Sequence, residues 1–160
     1  MTSEAPSIPL VSATTLLENW QGHRRLTRRT NAAIPEDQLF TISHGGMRPF
    51  GAMAQELLSM AVPVVEGVAT GKWAAFESRK PSTKADILAL WDLQTTQLNE
   101  KFPTITPERF QLVEKAFDQW EMPGIVTIQY AIDNEIHHRG EGFVYLRALG
   151  IEPPPFWERN

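Results

Sequence analysis

Apolar side chains recur along this chain at steps of three and four, and the stripes they form predict helices. From Ser12 onward, Leu16, Trp20, His23, Thr27, Thr30 and Ile34 fall on one side of a long first helix that ends ahead of Pro35. "PEDQLFTISHGGMRP" carries turn formers and a Gly-Gly pair, after which Pro49 opens a second helix with Phe50, Met53, Leu57, Leu58 and Ala61 on one side. Pro63 is expected to kink or end that helix. The Thr83-x-x-Asp86 spacing resembles a capping signal ahead of a third helix that carries Ile87, Leu90, Trp91 and Leu98. Thr106-Pro107-Glu108 supplies an N-cap, a first-turn proline and an acidic first turn, so "ERFQLVEKAFDQW" reads as a shorter helix. Pro123 opens a last long helix bearing Ile125, Ile128, Ile132, Ile136 and Tyr145, which Gly150 stops.

The closing "IEPPPFWERN" cannot be helical through its triple proline, and Phe156 and Trp157 are expected to anchor it on the body or on a partner. No segment alternates in the manner of a strand. The pattern predicts an all-α four-helix bundle with one additional short helix, as a single domain over 12–160 behind a flexible tail at 1–11.

Composition narrows the function more than the fold. Hydrophobic residues at 42% and charged residues at 21% are those of an ordinary globular chain. A formal net charge of -4 supplies no field that would gather nucleic acid or an anionic membrane surface, so direct binding to either is not expected. The absence of cysteine removes disulfides, zinc ribbons and a thiol nucleophile, and fits a reducing compartment. "MTSEAPSIPL" lacks the basic and apolar blocks of a secretion signal, and no apolar run approaches the ~20 residues that span a bilayer. A soluble cytoplasmic protein is expected.

The densest candidate chemistry is "DNEIHHRGEG", residues 133–142, which holds two of the chain's four histidines. On a helix, Asn134 and His138 lie one above the other at i and i+4, and Glu135 lies close to His138 at i and i+3. His137 is turned by ~100° from His138, so only one of the two can serve a given small site. A neutral imidazole with carboxylates suits zinc, nickel, iron or manganese, provided that another helix supplies the remaining donors. Glu56 is a credible one, since a carboxylate facing inward from the apolar second helix needs a cation. Arg139 is the alternative partner for Glu56, or a group for an anionic substrate. A hydrogen-bonded histidine face without metal stays open beside the metal site. Arg24, Arg25, Arg28 and Arg29 read as a solvated face with ion pairs, His44 as a loop histidine and His23 as a packed core histidine.

These residues resemble the DinB/YfiT-like superfamily of bacterial metalloenzymes. "HHRGEGFVYLRALGIEPPPFW" is similar to that family's "HHRGQ" signature and its "LRxLGxxPP" ending. "MRPFGAMAQEL" is similar to its "MRSFGELxxH" segment, and "RRLTRRTNAAIPEDQLF" to its first helix. The resemblance implies a four-helix bundle, commonly a homodimer, with a divalent metal held by one histidine of the second helix and an H-x-x-x-H pair of the last long helix. Carried over by position, those ligands are Glu56, Asn134 and His138, with Glu141 in place of the Gln of "HHRGQ". His137, Arg139 and Glu141 are then expected around the metal or at the substrate. Family members with roles include transferases and isomerases that use a low-molecular-weight thiol whose pKa the metal lowers; others are named only for DNA-damage induction. Two functions follow: a metal-dependent enzyme, either an S-transferase or a hydrolase, and a non-catalytic dimeric stress-response or ligand-binding bundle whose metal site has become a polar network.

Overall fold

The computed structural model describes residues 10–76 and 78–160, so most of the tail expected at 1–11 lies outside the described residues. Four long helices carry the fold: α1 (Ala13–Ala33), α2 (Phe50–Thr70), α3 (Lys84–Lys101) and α5 (Gly124–Ala148). Between the last two lie a single 3-10 turn (Phe102–Thr104), the short α4 (Pro107–Gln111), and strands β1 (Val113–Ala116) and β2 (Trp120–Pro123). The helix ends follow from side-chain chemistry. The hydroxyls of Ser12, Thr83 and Thr106 each accept from a first-turn backbone N–H, and Gly150, at φ 72°, takes the left-handed conformation just beyond α5.

Packing places α1 and α2 each against both α3 and α5, which makes a square bundle with α1 diagonal to α2. The core has two apolar parts. One gathers Trp20, Val65, Leu98, Phe102, Ile128 and Ile132; the other gathers Phe50, Leu58, Ile87, Trp91, Tyr145 and Leu146. A buried polar layer divides them, formed by His23, Arg24, Thr27 and Asn31 of α1, Gln94 of α3, and Glu135, His138 and Arg139 of α5. The candidate chemistry sits on the α2–α5 side of that layer.

Three expectations are corrected here. The stretch after α4 is not helical: Val113–Ala116 pairs antiparallel with Trp120–Pro123, Ala116 opposite Trp120. Phe110, Val113, Phe117 and Trp120 follow helical spacing, but Val113 and Trp120 face solvent while Phe110 and Phe117 are buried. Pro63 does not end α2, which runs on to Thr70. Proline removes one helical donor, and next to that break the Gln94 amide donates to the Leu58 carbonyl at 2.6 Å, so α3 supplies a donor to this turn of α2. Finally, α2 is by length and composition long and apolar enough to cross a bilayer, yet 61% of its most apolar window is buried inside the bundle, as in a core helix.

The arginine cluster also divides. Arg28 forms a two-pronged pair with Asp92 and Arg29 pairs with Glu158, whereas Arg24 is fully buried beneath Trp91, 4.5 Å from the ring centroid. The C-terminal segment does dock on α1, but through polar groups: Arg25 donates to the Arg159 carbonyl, and Arg159 approaches Asn19 and His23. Phe156 and Trp157 stack edge-on against each other and stay 59% and 69% exposed.

His23 is the core histidine expected, with Arg139 Nη1 3.2 Å from Nδ1 and Arg159 Nη1 3.3 Å from Nε2. Burial, then the Arg139 and Arg159 charges, lower its pKa from 6.5 to about 4, with Asp133 opposing. Because the folded value is depressed, the unfolded chain takes the proton first as pH falls. The stability held by neutral His23 is therefore complete above pH 6.5 and lost progressively toward pH 4. Urea titrations across this window should show a loss of up to about 3 kcal/mol attributable to this residue. His23→Gln should flatten that slope; an unchanged slope would assign it to other groups.

Candidate metal centre

Glu56 and His138 meet because α2 and α5 pack closely at Phe50 and Gly142, farther along the same pair of helices. A Cβ on Gly142 would lie 2.5 Å from the Phe50 ring, so glycine at 142 lets the helices approach. At this separation Glu56 Oε1 lies 3.3 Å from His138 Nε2 and accepts from the Asn134 amide at 3.1 Å. Asn134 and His138 share a face of α5, as their i, i+4 spacing requires. The other ring nitrogen of His138, Nδ1, is 2.6 Å from Glu141 Oε2. This places His138 between two carboxylates, one on each helix, with the ring itself buried.

A cation of the protein's own stands at the same place. Arg48, just ahead of α2, donates from Nη1 to Glu56 Oε2 at 2.7 Å, and its Nη2 is 3.4 Å from His138 Nε2. Tyr145 fixes the Arg48 backbone by donating its hydroxyl to the Arg48 carbonyl at 2.7 Å. Burial pushes the Glu56 carboxyl upward, but the Asn134 and Arg48 hydrogen bonds, with the charges of Arg48 and His138, together hold it below the usual range.

The remaining expected site residues divide. His137 is exposed, with Nε2 3.7 Å from Glu141 Oε2. Ligand atoms of His137, His138 and Glu141 all lie within 4.8 Å of one another, so a His/Glu cluster able to hold a metal is present at this end of α5. Arg139 does not reach Glu56: it turns toward α1, 3.2 Å from His23 Nδ1 and 3.3 Å from the His23 carbonyl. The i, i+3 neighbour Glu135 is likewise turned away, fully buried, and accepts from Trp20 Nε1 at 3.0 Å. Arg48 is a candidate site residue absent from the expectations drawn from the sequence. Its signal was available, since it belongs to the "MRPFG" segment and carries the charge that an inward Glu56 needs.

Beside Glu56 opens a cavity of about 460 Å³, lined by Arg48, Gln55 and Glu56 and by the rings of Phe76, Phe117, Trp120 and Tyr130. Chemically, the centre offers one imidazole held by a carboxylate, one low-pKa carboxylate, one amide and an arginine, all at the edge of a largely apolar chamber.

A square helical bundle with a histidine–carboxylate centre between its second and last helices is thus the class that fold and site define. The model of the DinB family matches residues 10–159, and the chain belongs to that family. It is 21% identical over 148 residues to the uncharacterized protein YjoA of Bacillus subtilis (strain 168), covering 91% of this chain and 96% of that protein. Two crystal structures share the fold. The DinB-like YjoA of B. subtilis superposes with TM-score 0.70 at 20% identity, over 91% of this chain and 99% of that one. A DinB-like protein of Bacillus cereus ATCC 10987 gives 0.70 at 19% identity, over 89% and 95%.

Proposed function

We propose that the chain is a metal-dependent enzyme whose centre is Glu56, Asn134 and His138, with a small molecule taken into the adjoining cavity. The observation that supports this most directly is the 3.3 Å approach of Glu56 Oε1 to His138 Nε2, with Nδ1 of the same ring bonded to Glu141. Such an approach matches the edge of a tetrahedron whose bonds run ~2.0–2.1 Å, and a carboxylate behind a ligating histidine is the usual means of fixing its tautomer. Rotating the Asn134 amide by half a turn presents its oxygen in place of its nitrogen. The donor set therefore fits a divalent ion such as zinc, nickel, iron or manganese.

When bound, the ion supplies a Lewis acid that lowers the pKa of a thiol or water, the chemistry of an S-transferase or a hydrolase. The chain's own residues do the rest. Glu141 holds the His138 ring with Nε2 facing Glu56, and Tyr145 holds Arg48 at the cavity mouth, where its guanidinium can orient a polar group of the substrate. A cysteine-free chain is consistent with a thiol brought in as a low-molecular-weight cofactor. Homodimerisation through helix faces, with the exposed Phe156 and Trp157 near the interface, belongs to the same reading, and sedimentation at micromolar concentration reads it directly.

One observation favours a second reading. Arg48 already neutralises Glu56 at 2.7 Å, so the site can stand as a metal-free polar network in a non-catalytic ligand-binding or stress-response bundle. Metal analysis of untagged protein, with calorimetric titration of zinc and nickel, separates the two. On the metal reading Glu56→Ala loses uptake by about tenfold or more, while His137→Ala, on the exposed side of the cluster, leaves it unchanged. Uptake that follows His137 and ignores Glu56 would move the site to the outer face of α5.

A further inference from the structure

We propose that the cavity beside Glu56 binds an uncharged, flat, largely aromatic small molecule, gripped by the turn of the β1–β2 hairpin. The role of that molecule as a substrate rests on the reading above, but its binding does not.

The hairpin turn is built against the preferences of its residues. Phe117 and Asp118 have φ of 51° and 57°, and the Gln119 N–H donates to the Ala116 carbonyl at 3.0 Å, closing a tight turn with both central residues left-handed. That conformation normally selects Asn-Gly or Asp-Gly. A bulky phenylalanine there is strained, and such strain persists where the surroundings over-determine it, commonly at ligand clamps. What it achieves is visible: the Phe117 ring turns inward, 5.1 Å from Trp73, 6.0 Å from Phe76 and 6.5 Å from Trp120 between ring centroids, steeply inclined to each. The same ring borders a second, apolar cavity of about 70 Å³, which shares Met60, Phe117, Trp120 and Tyr130 with the larger one.

Volume, shape and charge specify the occupant. About 460 Å³ suits a small organic molecule. The rings of Phe117 and Trp120 from the hairpin, Tyr130 from α5 and Phe76 from the segment between α2 and α3 line it and favour a flat apolar group among them. Trp120 and Tyr130 stay half exposed with nothing of the described chain to cover them. Among the described lining residues the charged ones are Arg48 and Glu56, and they are paired with each other at 2.7 Å. Neither is left to compensate a charged ligand, whereas Gln55, Ser78 and Gln119 offer neutral donors and acceptors.

Isothermal titration in EDTA with 2-naphthol, 2-naphthoate and 2-naphthylmethylammonium tests this. The neutral naphthol should bind at least ~5-fold more tightly than either charged analogue, and Trp120→Ala and Tyr130→Ala should each weaken it ~5- to 10-fold. Both substituted side chains are half exposed, and an unchanged thermal midpoint confirms that the variants remain folded. Tighter binding of the naphthoate would make Arg48 an anion site, and tighter binding of the ammonium would make the rings a cation cage. Either result overturns the proposal, as does absence of naphthol binding or indifference to both substitutions. The chelator removes metal from the test, so failure of the metal reading would leave this result standing, and the reverse.

Discussion

Arg24→Met is expected to lower the free energy of unfolding by about 3–5 kcal/mol, the largest effect of a single polar substitution in the bundle. Arg24 is 1% exposed, bonded to the Trp91 carbonyl through Nη2, while Nε and Nη1 lack protein partners. Glu135 is 2% exposed, bonded to Trp20 through Oε2, with Oε1 unpartnered. Burial pushes the Glu135 carboxyl up and the Arg24 guanidinium down, and each group's charge is the strongest influence opposing that shift in the other. The two act as a buried couple across the polar layer. Removing Arg24 takes away the strongest influence that opposes the burial of Glu135, leaving Trp20, Thr27 and the weaker influence of the Arg139 charge, whereas removing both removes the desolvation cost of the pair as well. The double variant Arg24→Met/Glu135→Leu should therefore be more stable than Arg24→Met alone, recovering most of the loss. Urea unfolding of the wild type, both single variants and the double variant closes the cycle. Simple additivity would show that the charges do not interact, and that Arg24 contributes through its stacking and its hydrogen bond on Trp91.

In the sequence Arg24 has the look of a solvated face, yet in the structure it lies on the Trp20 side of α1 and is buried. Four arginines in six residues look like a surface, and the helical stripe continues without Arg24 through His23 and Thr27. Yet Arg24 follows Trp20 at i+4, the spacing that puts it against the same neighbours. The long helices and their ends were legible because each rests on local chemistry: Ser12, Thr83, Thr106 and Gly150 act within one turn of themselves. The hairpin was not, because Phe110, Val113, Phe117 and Trp120 keep helical spacing, and no Asn-Gly or Asp-Gly marks a turn that Phe117 and Asp118 make under strain. Within the site, the shared face of Asn134 and His138 follows from helix geometry, whereas the divergence expected of His137 does not hold, because its ligand atom lies within 4.8 Å of those of His138 and Glu141. Nor does the position of Arg48 follow from helix geometry. It lies outside any helix, and the tertiary bond from Tyr145 to its carbonyl helps to hold it beside Glu56.

The arrangement of the polar layer ties these pieces together. α5 presents Glu135 and Arg139 to α1 and, one residue from Arg139, His138 to α2, so one helix serves two polar centres back to back. His23 and Arg139 form the wall on one side, and Glu56 and Arg48 on the other. Changes at one centre can therefore reach the other through α5, and the metal measurement is best made on variants confined to α2.

Glu56→His is such a variant, and it should bind zinc or nickel at least about tenfold more tightly than the wild type, since imidazole is the softer and stronger donor for these ions. The replacement puts a second imidazole across from His138 Nε2, where a carboxylate oxygen now stands at 3.3 Å. It also discharges the ion pair with Arg48. Because the Arg48 side chain is 52% exposed, that loss should cost no more than about 1 kcal/mol without metal. Loss of the acceptor for the Asn134 amide adds a cost of about the same size. The variant should thus be less stable than the wild type in EDTA, by up to about 2 kcal/mol, and should gain more stability than the wild type when zinc is added. At a free zinc concentration 100 times the variant's dissociation constant, binding contributes about 2.7 kcal/mol to the variant and about 1.4 kcal/mol to a wild type that binds tenfold more weakly, so zinc favours the variant by about 1.3 kcal/mol and reverses the order of the two thermal midpoints where the deficit in EDTA is smaller than that. Acidification should reverse it again, because ligating imidazoles must be unprotonated and the metal leaves as protons compete for them. A stabilised variant beside an indifferent wild type would mean that Arg48 has replaced the ion in this chain and that one substitution restores the site. If thermal stability ignores zinc in both proteins, the centre is a polar network and the enzyme reading loses its metal.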